Sequence, residues 1–239
     1  MAGVTFAPMP SPLALSPAHS LVQSTFGNEE QPLLMVDGAL ADLALVREVA
    51  ARHRYTPIGP FYPGLRAAVS EAVAMPLVAP LLPTLRDTFG LAAEPRYFEC
   101  FLSLVTLGPA QLAPIQRVPH FDGVEPERLA VLLYLSDDAD GGTAFYRQRV
   151  TGFESVDDER FDAYRAALDA GTARHGVPEA GYIGEASPLF DRTHRVEGRA
   201  NRMIVYRGNT LHCAALAPDF APSADPREGR LTLNLFLAA

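Results

Sequence analysis

The chain has 239 residues, 48% of them hydrophobic and 20% charged, with a formal net charge of −8 and a pI near 5.2. Such a composition fills a core and excludes global disorder, and its negative balance argues against a surface that tracks nucleic-acid phosphates. No apolar run approaches the roughly 18 residues of a membrane span. The only cysteines, Cys100 and Cys213, form no disulfide framework, and Met1–Ser16 lacks the cationic start of a signal peptide. The expected compartment is therefore a reducing cytoplasm.

Residues 1–30 are rich in Pro, Ser and Ala without a period, and predict an irregular N-terminal arm. Pro32–Val36 followed by Asp37-Gly38 reads as a strand and turn. Leu40–His53 places Leu40, Leu43, Leu45, Val46 and Val49 at helical spacing. Tyr55–Gly64 is a loop by its prolines and glycines, and Leu65–Ala74 and Val78–Phe89 predict helices, with Gly90 as a stop. Residues 31–96 are thus expected to be mostly helical support.

From Tyr97 onward the character changes. Tyr97–Leu107, Leu129–Leu135, Thr143–Arg147, Arg202–Arg207, Thr210–Ala215 and Leu231–Leu237 are strand candidates, with a turn over 136–142. Ser155–Ala170 starts acidic and then spaces Phe161, Tyr164 and Leu168 as a helix does, so a helical insertion is expected among the strands. The predicted class is α+β, one domain over 31–239 with its β-rich core in 97–239.

His120-Phe121-Asp122 puts two metal-binding side chains two residues apart, hence on one face of an extended strand. His212 follows in another strand candidate, and Arg230 lies beyond it. Two imidazoles and one carboxylate can hold one face of a ferrous ion and leave positions open. On spacing alone the same residues also read as a turn cap, an Asx turn before Gly123 and a hydrogen-bonded core histidine. His53, His175 and His194 fit no ligand pattern.

The order of pieces adds to this. Leu102–Gln111 is followed by Pro119-His-Phe-Asp122. Next come Leu129–Ser136 and then Asp140-Gly-Gly-Thr-Ala-Phe145. Met203–Tyr206, Leu211-His212 and Arg230-Leu-Thr-Leu-Asn234 close the series. This series resembles the Fe(II)/2-oxoglutarate-dependent dioxygenase superfamily, in its prolyl 4-hydroxylase-like branch, over about residues 97–237. The resemblance implies a double-stranded β-helix, or jelly-roll, core with an N-terminal helical layer. It implies that His120, Asp122 and His212 ligate Fe(II) and serve as the catalytic centre. Arg230 would pair with the distal carboxylate of 2-oxoglutarate, a task suited to a two-pronged guanidinium, and Thr232 would add a hydroxyl. With dioxygen the products would be succinate, CO2 and an oxidised, expectedly hydroxylated, amino acid, peptide or small metabolite. Related radical halogenases replace the carboxylate with a small residue, so Asp122 favours hydroxylation.

Arg117, Arg147 and Tyr62 are candidates for reading the substrate, and Tyr55, Phe61 and Arg66 for covering the mouth. The segment 213–229, with three prolines, is a candidate lid or partner surface. The expected partner is a small molecule or peptide, with no nucleic acid and no membrane, and homo-oligomer formation stays open. The competing class is a non-catalytic jelly-roll that binds a metal or ligand, or acts as an accessory protein. A zinc hydrolase or cupin would be expected to show further ligands near His120, and none is seen.

Overall fold

A computed structural model describes residues 11–136, 138–185 and 187–239, with only the backbone described at 138–140. Among the described residues ten strands form two antiparallel sheets that face each other, with helices on the back of the larger one. The strands are β1 (Ser20–Phe26), β2 (Gln31–Asp37), β3 (Gly64–Ala68), β4 (Arg96–Val105), β5 (Leu129–Tyr134), β6 (Asp138–Gln148), β7 (Phe190–Gly198), β8 (Arg202–Arg207), β9 (His212–Ala215) and β10 (Leu231–Ala238). The large sheet runs β1-β2-β8-β5-β10-β4-β3 and the small one β7-β6-β9. This is the expected double-stranded β-helix, a jelly-roll within an α+β chain.

Alternation along the strands explains the layers. Leu231, Leu233, Leu235 and Leu237 of β10 point to the back. There they pack with Leu34 and Val36 of β2 and with α1 (Leu43–Ala50) and α3 (Leu82–Phe89), through Val46, Leu85 and Phe89. The residues between them, Thr232, Asn234 and Phe236, point forward. A second apolar cluster, including Phe26, Leu132, Phe145, Ile204 and Tyr206, joins the facing sheets. A third covers the outside of the small sheet with α4 (Asp158–His175), through Tyr164 against Phe190 and Ala144.

The helices begin where the chemistry predicts. Asp42 caps α1 by accepting from Leu45 N at 2.9 Å, and Asp157 caps α4 by accepting from Arg160 N at 2.9 Å. Such caps satisfy amides that a helix start leaves without partners. In α4, Asp158 and Glu159 open the first turn and Arg174 and His175 close the last, in keeping with the helix dipole. A short α2 (Glu71–Ala74) precedes α3.

Four expectations change. The irregular arm over 1–30 contains β1, which pairs along its whole length with β2, while residues 1–10 lie outside the described residues. The front of the chain is not mostly helical, because β2 and β3 extend the large sheet on opposite sides. Leu65–Ala68 is strand rather than helix. Arg66 exchanges backbone hydrogen bonds with Thr56 on one side and pairs with Ser103 of β4 on the other, and this pairing overrides local helix preference. The turn expected at 136–142 is shorter, since β6 already starts at Asp138 and shifts register before Gly142; Asp137 lies outside the described residues. The strand β7 had no distinct sequence signal, for its exposed and buried positions do not alternate cleanly. Among the described residues no helix is long and apolar enough to cross a membrane.

Candidate metal centre

His120 and His212 face each other as a backbone pair. His120 N donates to His212 O at 2.9 Å, and His212 N donates to His120 O at 2.8 Å. This bridge adds the His120 segment to the small sheet next to β9. Their rings lie 4.4 Å apart between centroids. Asp122, two residues on, has its amide held by Gly208 O at 2.8 Å and its carbonyl held by Arg128 Nη1 at 3.0 Å. Gly123 lets Arg128 come this close, for a Cβ there would lie 3.0 Å from the guanidinium carbon.

The three side chains converge. His120 Nε2 is 3.8 Å from Asp122 Oδ1 and His212 Nε2 is 3.4 Å from Asp122 Oδ2. One ligand atom from each residue lies within 4.8 Å of the others, so the set could hold a metal ion. His212 Nδ1 sits 2.8 Å from Thr210 O. A carbonyl only accepts, so Nδ1 carries the proton and the Nε2 lone pair faces Asp122, the tautomer a metal ligand needs.

The electrostatics of the three side chains suit a cation. His120 is accessible because its ring opens onto an internal cavity. Desolvation there, with His212 and Arg66 nearby, holds its pKa well below 6.5 and keeps the imidazole neutral. Burial raises the Asp122 pKa, against the pull of His212, Arg66 and Arg128. A neutral imidazole and a carboxylate short of positive charge suit a divalent ion.

The cavity has a volume of about 990 Å³. The triad lines it, as do Arg230 and Thr232 from β10. Arg230 is buried and donates from Nη2 to Gly142 O at 2.9 Å. Gly142 has φ +132°, and a Cβ there would fall 1.9 Å from Val196 O. Only glycine fits, and its carbonyl is thereby turned to Arg230. Thr232 Oγ1 donates to Asn234 Oδ1 at 2.9 Å. Thr232 pairs with Ser103 on one side and Tyr134 on the other, so Arg66, Ser103, Thr232 and Tyr134 form one rung across the sheet.

Of the other candidates, Tyr62, Phe61 and Arg66 line the cavity. Tyr62 Oη lies beside Ser103, but no well-formed hydrogen bond joins them, and both hydroxyls are buried without a partner among the described residues. Burial raises the Tyr62 phenol pKa, opposed by Arg230 and Arg66. Arg117 and Arg147 are not brought to the cavity. Arg117 donates to Leu112 O and Pro178 O at 2.7 to 2.9 Å, tying two loops together. Arg147 stands across β6 and β7 from Asp191, 3.7 Å away. Tyr55 packs on the helical core and donates to Ala50 O at 3.1 Å. Residues 216–229 contribute no side chain to the cavity lining. They are fastened instead by Phe220 on Tyr182 and by Arg227 to Glu48 at 3.3 Å.

The sequence reading missed Tyr182 and Phe101 as lining residues. It noticed the Phe161, Tyr164 and Leu168 spacing without seeing what it meant. With Arg165 these residues make one stripe of α4, and the stripe forms part of the cavity wall.

A jelly-roll with a two-histidine, one-carboxylate group on the wall of a large cavity defines the class of fold and site. Within it, the chain belongs to the family of unknown function DUF6445, whose model matches residues 17–237. No curated protein matches the chain. Several solved structures are similar to it. One is the non-heme alpha ketoglutarate dependent carbocyclase SnoK from nogalamycin biosynthesis (14% identity, 88% of this chain and 80% of that one, TM-score 0.48). Another is HygX from Streptomyces hygroscopicus with nickel and 2-oxoglutarate bound (14% identity, 88% and 84%, TM-score 0.48). A third is a Pseudomonas putida prolyl-4-hydroxylase (14% identity, 88% and 94%, TM-score 0.46).

Proposed function

We propose that this protein is a non-haem oxygenase that uses Fe(II), 2-oxoglutarate and dioxygen to oxidise, by hydroxylation, an amino acid, a peptide or a small metabolite. The observation that carries this reading is one cavity with the His120–Asp122–His212 group and the buried Arg230 on its walls. Fe(II) bound there would supply the oxidising chemistry, with succinate and CO2 as co-products.

The chain's own residues do the rest. His120 and His212 offer ring nitrogens, and Asp122 offers the charge that favours a divalent ion. Their placement on one side leaves the cavity side for co-substrate and oxygen. Arg230 offers parallel donors to a carboxylate. The Thr232 and Tyr62 hydroxyls face the same space, that of Tyr62 without a partner among the described residues, which suits an acidic, oxygen-rich co-substrate. Phe101, Leu132 and Phe236 wall the cavity and limit water. The reading includes a cytoplasmic location and a small molecule or peptide as partner, rather than nucleic acid or membrane.

The test is an anaerobic titration of the metal-free protein with Fe(II) and 2-oxoglutarate, watching the weak visible charge-transfer band of the chelate. The band is expected in the native protein and absent in His120→Ala, and Arg230→Ala should need far more 2-oxoglutarate. No band at any concentration would leave a non-catalytic metal- or ligand-binding jelly-roll as the better account.

A further inference from the structure

The Arg66 guanidinium is a second cation in the cavity. Its Nε is buried without a hydrogen-bond partner, and no described carboxylate forms an ion pair with it. It lies 4.1 Å over the Tyr62 ring and 5.2 Å from the centre of Phe101. The two rings hold the guanidinium by its π face, and Arg66 lines the cavity. Arg66 itself is half-buried, and a partly desolvated cation without an acid is costly to keep. Structure alone does not require it, for the backbone of Arg66 already holds β3 in place through Thr56 and Ser103.

Two further observations bear on what it meets. Among the described residues the cavity is lined by three arginines, Arg66, Arg165 and Arg230, against two carboxylates, Asp122 and Glu99. A divalent ion would neutralise Asp122. Glu99 sits four residues from Ser103 on β4, roughly 13 Å along the strand from Arg66's rung. The mouth is apolar: Ile58, Phe61, Ile115 and Phe161 are 37 to 70% exposed there, with Leu168 behind them. The volume of about 990 Å³ exceeds what a five-carbon diacid fills, so a second molecule has room.

Resting on the oxygenase reading, we infer that the oxidised substrate is an amphipathic carboxylic acid, with its carboxylate on Arg66 and its apolar body along the mouth. Arg230 and Arg66 thereby divide the acids, one for the co-substrate and one for the substrate.

The test uses octanoate and the isosteric octanamide as probes. Each is titrated by calorimetry into the full chain loaded anaerobically with Ni(II) and 2-oxoglutarate, and again into metal-free protein. Octanoate should bind about tenfold or more tightly than octanamide, the worth of a charge-assisted pair. Arg66→Gln should abolish that preference while moving 2-oxoglutarate affinity less than about twofold, and Arg66→Lys should keep part of it. Equal binding of the two probes to the native protein would overturn the proposal, as would an undiminished preference in Arg66→Gln. So would a loss of 2-oxoglutarate affinity in Arg66→Gln that exceeds the loss for octanoate, which would assign Arg66 to the co-substrate. Absence of any Ni(II) or 2-oxoglutarate binding would instead remove the oxygenase reading. The octanoate preference on metal-free protein is measured independently of it.

Discussion

The two faces of the large sheet are made by the same strands and could hardly differ more. On the back, β10 contributes four leucines, each fully buried against other apolar side chains. On the front, it contributes Arg230, Thr232, Asn234 and Phe236 to the cavity. Every second residue serves stability and every other one serves the site. Among the described residues the front face tolerates a Ser103 hydroxyl and an Arg66 Nε without hydrogen-bond partners, features that a face built only to fold would discard.

Substitutions can separate the two faces. The largest effect is expected from His212→Ala, which should weaken Fe(II) binding by roughly 100-fold or more, beyond the usual effect of outer-shell changes. Calorimetry would read the affinity, and a thermal melt of the metal-free protein should stay near native. Leu233→Ala, on the back, should do the reverse. It should cost about 3 kcal/mol in urea unfolding and leave metal affinity unchanged. A parallel loss of both properties in either variant would mean that the faces are coupled.

Thr232→Val comes next. It keeps shape and removes the hydroxyl. About a tenfold rise in the 2-oxoglutarate concentration needed for half-maximal chelate formation is expected, with under about 1 kcal/mol change in stability. The smallest effect belongs to the sheet margin. Arg202, nearly buried, pairs with Asp37 through bonds of 2.7 and 2.9 Å, and this holds the Asp37 pKa below 3.8. Because the folded pKa is lowered, the pair stabilises the protein above 3.8, and the gain disappears as pH falls through the folded value. Asp37→Asn should cost about 1 kcal/mol at neutral pH, discounted for the exposure of the carboxylate. Urea unfolding across pH should show native and variant stabilities converging only on the acid side.

Much of this was legible in the sequence, and the reasons differ by residue. Leu231–Leu237 alternates strictly, so β10 could be read directly. His120 and Asp122 could be placed on one face because their spacing matches the strand period. The β-strand Gly64–Ala68 could not, because its pairing partners at Thr56 and Ser103 are set by tertiary structure. Arg117 and Arg147 looked like substrate residues from their nearness to His120 and Phe145. Sequence distance says nothing of direction, and both side chains turn to loops and neighbouring strands. The α4 stripe was visible as a period, but a period marks a face without saying whether core or cavity lies against it.

The reciprocal hydrogen bonds between His120 and His212 have a kinetic consequence. Both ligands ride on one pair of amides, so the centre cannot come apart while that pair holds. Hydrogen exchange at these two amides therefore acts as a clock for opening of the site. The two protons should exchange slowly and together, and an ion bound between the rings should slow both by the same factor.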